Sequence, residues 1–134
     1  MSAMSTYLEN ALVNHVLRNT AYTTPGTTVY VGLIKYYDAA VVEAGTLTQE
    51  ASGGAYARVQ VTAWDAASNG ATQNTGAITF PTATADWGGI SGVIISDHAS
   101  AGNILLHGSL TSARDVKDGD VFKFNAGDLD VTFA

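Results

Sequence analysis

The sequence predicts a mainly β fold: an antiparallel β-sandwich or barrel-like domain of about seven or eight strands, with one N-terminal helix. Three observations predict it. Apolar residues recur at helical spacing only within residues 5–19. After Gly26 the apolar residues fall in short runs that alternate with period two. Those runs are separated by turn dipeptides rich in Gly, Asn and Asp.

In the helix, Leu8, Ala11, Leu12, His15 and Val16 share one face. Thr6 and Glu9 stand at the spacing of a capping box, and Ser5 is an alternative cap. The helix is expected to stop before Pro25-Gly26, because Thr20 to Thr24 is β-branched and polar. Val29, Val31 and Leu33 then interleave with Tyr30, Gly32 and Ile34, so both faces are apolar and the strand is expected to be central. Residues 38–55 have weak periodicity and read as a long loop. Val59, Val61 and Ala63 alternate with Arg58, Gln60 and Thr62, as in a half-buried strand. Ser68-Asn69-Gly70 is a turn, and Ile78 and Phe80 mark a short strand ended by Pro81. Residues 90–96 and 104–110 are expected to pair as a hairpin across Ala101-Gly102-Asn103. Asp118-Gly119 signals a second hairpin between Val116 and residues 121–124. Leu129, Val131 and Phe133 form the last strand. No repeat or linker divides the chain, so residues 1–134 are expected to form one domain.

Composition excludes several functions. Charged residues make up 13% of the chain, against roughly 25% in an average soluble domain. Small neutral side chains replace them, and such a surface tolerates contact with other protein. The net charge is −6, and the basic residues Arg18, Lys35, Arg58, Arg114, Lys117 and Lys123 are scattered. Nucleic acid and anionic membranes both require clustered cations, so neither is an expected partner. Cysteine is absent, which removes disulfides and thiolate metal sites. The N-terminus has neither the basic start nor the apolar run of a signal peptide, and no apolar stretch is long enough to span a bilayer.

No catalytic pattern emerges. No serine lies in a GxSxG elbow, and Gly89-Ile90-Ser91-Gly92 lacks that pattern. His15, His98 and His107 are not paired at metal-ligand spacing. His15 is expected in a core or an interface, His98 in a surface turn, and His107 on the less buried face of its strand. Asp115, Asp118, Asp120, Asp128 and Asp130 do not follow a calcium-loop order and read as turn residues. No enzyme activity, metal or cofactor is therefore expected. The aromatic set Tyr7, Tyr22, Tyr30, Tyr36, Tyr37, Tyr56, Trp64 and Trp87 reads mainly as core, with a sugar-stacking platform as the alternative.

Taken in succession, several segments resemble a family of small tailed-bacteriophage virion proteins often labelled phage tail fibre protein. They are Tyr7-Leu8-Glu9-Asn10-Ala11-Leu12, His15-Val16, Thr20-Ala21-Tyr22-Thr23 and Val29-Tyr30-Val31-Gly32-Leu33. They continue with Gly53-Gly54-Ala55-Tyr56-Ala57-Arg58 and the run from Ile78-Thr79-Phe80-Pro81 to Asp86-Trp87-Gly88. The last is Gly119-Asp120-Val121-Phe122-Lys123-Phe124-Asn125-Ala126-Gly127. Residues 38–47 depart from the family pattern, and His107 stands where such proteins often carry an aromatic.

The resemblance implies a structural protein of the virion, assembled in the bacterial cytoplasm. It would be an accessory subunit decorating or cementing the capsid, or a small tail-fibre or head–tail component. A carbohydrate-binding adhesin is the alternative. The implied partners are other virion proteins, capsid or tail subunits, and further copies of the chain, with a trimer as the first expectation. The candidate contact residues are Leu8 and Leu12, whose apolar stripe must be covered, and Tyr36 and Tyr37, which end a strand before the long loop.

Overall fold

The computed structural model describes residues 3–27 and 29–133. In chain order the elements are β1 (Ala3–Met4), α1 (Thr6–Leu17), β2 (Tyr30–Ile34), α2 (Ala39–Glu43), β3 (Val59–Gln60), β4 (Ala71–Gln73), β5 (Ile78–Thr79), β6 (Gly88–Ser96), β7 (Ile104–Val116), β8 (Lys123–Phe124) and β9 (Asp130–Thr132). A five-stranded antiparallel sheet runs in the order β1-β7-β6-β2-β3. β4 with β9 and β5 with β8 make two antiparallel ribbons. The mainly β, antiparallel class with an N-terminal helix is thus the observed one.

The expected hairpin of β6 and β7 is the spine of the sheet. Its tip places Ala101 and Gly102 at positive φ, and the Asp97 carboxylate closes it by accepting the Asn103 amide at 2.7 Å. β2 pairs along its whole length with β6, and Val31, Leu33 and Ile34 are fully buried. Period-two alternation sorts these residues between two layers. Val31, Leu33, Val93 and Ile95 face the main core, where they meet Ile78, Phe80, Phe122, Phe124, Leu129 and Val131 from the ribbon side. Phe80 meets Phe122 and Phe124 edge-on, at centroid distances of 5.8 and 6.4 Å. Ile34, Ile94 and Ile104 face the other way and form a thin second layer under Val42 of α2.

That second layer corrects the expectation of a long loop over 38–55, since α2 lies within it. The Asp38 carboxylate caps α2 by accepting the Ala40 amide at 3.0 Å, and Val42 is wholly buried. One helical turn is too short to leave a periodic signal in sequence. Glycine on β6 makes room for the chain that covers this face. A Cβ on Gly92 would lie 2.5 Å from Cδ1 and 2.7 Å from Cβ of Tyr37. Gly92→Ala is accordingly expected to lower stability by about 1–3 kcal/mol through overpacking, read as an earlier thermal melt.

The helix starts at Ser5, not at the Thr6–Glu9 box. Ser5 is the N-cap, and its hydroxyl accepts the Leu8 amide at 3.2 Å. It also ties the helix to β7: the hydroxyl donates to the Ile104 carbonyl and the Ser5 amide donates to the Leu105 carbonyl. Asn19, at φ 53°, ends the helix. Because α1 is fastened at its first turn, only that half of the stripe is covered. Leu8 is in the main core, Leu12 packs against it half-buried, and Val16 and His15 are exposed.

Asp118-Gly119 makes a turn, with Gly119 at φ 90° and the Lys117 amide donating to the Asp120 carboxylate at 3.0 Å. It is not a hairpin: β8 leaves β7 and pairs with β5. In β7 itself, Ser91 alone stands opposite residues 110–113, a wide bulge that leaves Thr111, Ser112 and Ala113 exposed.

Candidate functional site

The four candidate contact residues separate into two places. Leu8 is 3% exposed and belongs to the main core, with Leu12 beside it. Tyr36 is 70% exposed, while Tyr37 is half-buried in the second layer. Sequence reasoning missed the half of α1 that does reach the surface. Val13, Val16 and Leu17 are 53%, 72% and 78% exposed. Their spacing is legible, but which face a helix buries depends on where it is tied down.

Beside the foot of this helix lies an apolar groove of about 240 Å³. Leu8, Tyr22 and Trp64 line it together with Ile95, Val131 and Phe133, and no charged side chain takes part. The β4–β9 ribbon supplies part of its wall through Thr72 and Val131. Loop 20–27 follows α1 back along it, with the Tyr22 amide donating to Nδ1 of His15 at 3.2 Å. His15 is therefore a surface residue that fastens a loop, not a core or buried group.

The polar chemistry of the chain is concentrated in a network that the sequence did not disclose. Arg58 looks like a solvent-facing strand residue, yet it is 8% exposed. Its guanidinium makes a two-pronged pair with Glu50, Nε to Oε2 at 2.7 Å and Nη2 to Oε1 at 2.8 Å. Its Nη1 donates to Ser96 Oγ and to the carbonyls of His98 and Ala101. One side chain thus joins residues 49–58 to the far end of the β6–β7 hairpin. Pairing with Glu50 raises its already high pKa further. The Tyr56 hydroxyl donates to Glu50 at 2.7 Å and accepts the Leu33 amide at 3.0 Å. Burial, with the Glu50 charge added, pushes this phenol far above the ordinary tyrosine range.

The turn before this network has an equally specific geometry. Gly53, Gly54 and Ala55 all take positive φ. The Gly54 carbonyl accepts the Trp87 indole N–H at 2.8 Å, and Trp87 meets Tyr56 edge-on at 5.4 Å. The segments Gly53-Gly54-Ala55-Tyr56-Ala57-Arg58 and Asp86-Trp87-Gly88 are therefore halves of one structural clamp. This removes Tyr56 and Trp87 from any surface platform.

His107 also departs from expectation. It is 2% exposed and lies on the second-layer face, partnered in register with Ile94. Its Nδ1 is hydrogen-bonded to the Tyr37 hydroxyl at 2.7 Å, while its Nε2 is buried without a partner among the described residues. Desolvation holds its pKa below the ordinary imidazole range, against the opposing pull of Glu43 and Glu9. His98 bonds within its own turn, its Nδ1 accepting the Ser100 amide at 3.1 Å. The C-terminal aspartates serve turns as well: Asp120 accepts from Lys117 and Asp128 from Asn125. Among the described residues, no three His, Asp or Glu side chains converge on a point where a metal could sit. No helix among them is long and apolar enough to cross a membrane.

No curated protein matches the chain. A family model described as podophage GP4 fiber I protein gp80 matches residues 3–132. That span takes in the α1 anchor, the Gly53–Arg58 clamp, Trp87 and both ribbons, so the chain belongs to this phage fibre protein family.

Proposed function

We infer that this chain is a non-enzymatic structural subunit of the tail fibre, held in the virion through contacts with further copies of itself and with other phage proteins. The observation that carries this reading is the uncovered apolar half of α1. Val13, Val16 and Leu17 present a large aliphatic surface, and the nearby groove has no charged wall. On a chain of net charge −6, copies that meet through uncharged faces keep their repelling charges apart. Closed symmetry is the usual outcome for identical subunits, and a trimer is the first arrangement to test.

The test is the double variant Val16→Ser/Leu17→Ser. Both side chains are exposed, so the purified fold should melt within about 0.5 kcal/mol of wild type. Assembly measured by light scattering, and incorporation into particles, should both fail. Wild-type incorporation of that variant would overturn the reading. Counting copies per virion distinguishes a fibre subunit, present in small number, from a capsid-decorating subunit present on every capsomer. The adhesin alternative retains few exposed rings among the described residues: Tyr7 on α1, Tyr36 between β2 and α2, and Phe133 after β9, at 42%, 70% and 45% exposure.

A further inference from the structure

Residues 36–48 form a flap over the second apolar layer. Its root is firm: the Lys35 amide donates to the Gln49 carbonyl at 2.8 Å and the Ala51 amide to the Leu33 carbonyl at 2.9 Å. Beyond the root the fastenings to the sheet are few. The Tyr37 amide donates to Ser91 Oγ at 2.8 Å, and the Tyr37 hydroxyl meets His107 Nδ1 at 2.7 Å. Val42 and Leu47 rest on Ile34, Ile94 and Ile104. Apart from the Glu50 amide, which donates to the Leu47 carbonyl at the root, the remaining hydrogen bonds of the flap among the described residues, such as Val42 to Asp38 and Thr46 to Val41, are internal to it.

We propose that His107 is an acid-sensitive latch: protonation of its buried ring releases the 36–48 flap and uncovers the apolar layer of Ile34, Ile94 and Ile104. The neutral ring fits the site tolerably, since Tyr37 satisfies Nδ1 and one orphaned nitrogen remains. The protonated ring carries two N–H donors and a charge. Tyr37 can turn its oxygen to accept from Nδ1, so that bond survives. Nε2–H finds no acceptor in the closed layer, and an unpaired buried charge is far costlier than an unpaired neutral nitrogen.

The groups facing the ring do not remove this cost. From the flap come Tyr37 and Glu43, with Asp38 acting on Tyr37; from α1 comes Glu9. The neighbours in register, Ile94 on β6 and Ala3 on β1, are uncharged. Glu43 and Glu9 favour the imidazolium, but burial outweighs them. The closed form therefore binds a proton less readily than the open form. Closure is complete above the ordinary histidine pKa and weakens as pH falls through it.

Hydrogen exchange on the full chain tests this. As pH falls from about 7.5 to about 5, protection of amides 36–48, corrected for intrinsic exchange, should drop severalfold. Amides in the β2–β6 ladder should keep theirs. His107→Phe should abolish the pH dependence, and Glu43→Gln, which removes a group favouring the charged ring, should steepen it. If His107→Phe does not fold, Tyr37→Phe and ring NMR of the wild-type histidines decide. Tyr37→Phe should retain the acid response, because Nε2 is still orphaned, and the His107 ring should titrate below an exposed histidine. Unchanged flap protection in wild type, an equal loss in His107→Phe, or an ordinary titration of the His107 ring would each overturn the latch.

Discussion

Arg58→Ala is expected to cost about 3–5 kcal/mol, a large share of the roughly 5–15 kcal/mol that holds a domain folded. The loss is not that of a surface ion pair. Arg58 is buried, and its removal strands the Glu50 carboxylate together with the carbonyls of His98 and Ala101. The melting temperature should fall by about 10 °C or more. Replacing both charges with apolar residues, as in Arg58→Met/Glu50→Leu, should recover much of the loss, because the penalty lies in the unpaired partner. A double-mutant cycle by thermal or urea unfolding measures that coupling. Additive single losses would show that the two side chains act separately.

Trp87→Ala is expected to be comparably severe, at about 3–5 kcal/mol. The ring is 1% exposed, packs edge-on against Tyr56, and donates to the carbonyl of Gly54. Removing it opens a cavity and takes away one of the two hydrogen bonds the Gly54 carbonyl accepts, leaving it only the Thr84 amide at 3.0 Å, where the backbone already takes positive φ at Gly53, Gly54 and Ala55. Trp87→Phe should fall between the two, keeping a ring but not the N–H. Circular dichroism melts give the ranking. Because Trp87 and Arg58 brace opposite ends of the same short segment, their losses should not add.

How far the sequence foretold this molecule depends on the kind of signal involved. Runs with a local period were legible: β2 buried on both faces, the β6–β7 hairpin, the last strand, and the helix with Ser5 as one of its two possible caps. Turns were legible as turns, but not their destinations. Asp118-Gly119 does reverse the chain, yet β8 pairs with β5, because Phe122 and Phe124 must join Phe80 in the core. Arg58 and His107 were misplaced for one reason. Alternation assigns a residue to a face, and both faces of the large sheet are partly covered here. α2 and residues 49–58 hide the side that a polar strand pattern would expose. The exposure of Val16 and Leu17 has a similar origin, since the anchor at Ser5 fixes the helix on β7 and leaves its far half free.

The anchoring of α1 also sets an order of events during folding. Ser5 is held by Ile104 and Leu105, 99 residues away in the case of Ile104. During synthesis α1 therefore lacks its anchor until β7 has been made. β2 must likewise wait for β6 before it gains its main partner. Contacts this distant in sequence slow folding, since the chain must be closed into large loops before they stabilise anything. During that interval the apolar face of α1 stays in water, and surface exposed while a chain waits for its distant contacts is where misfolding begins.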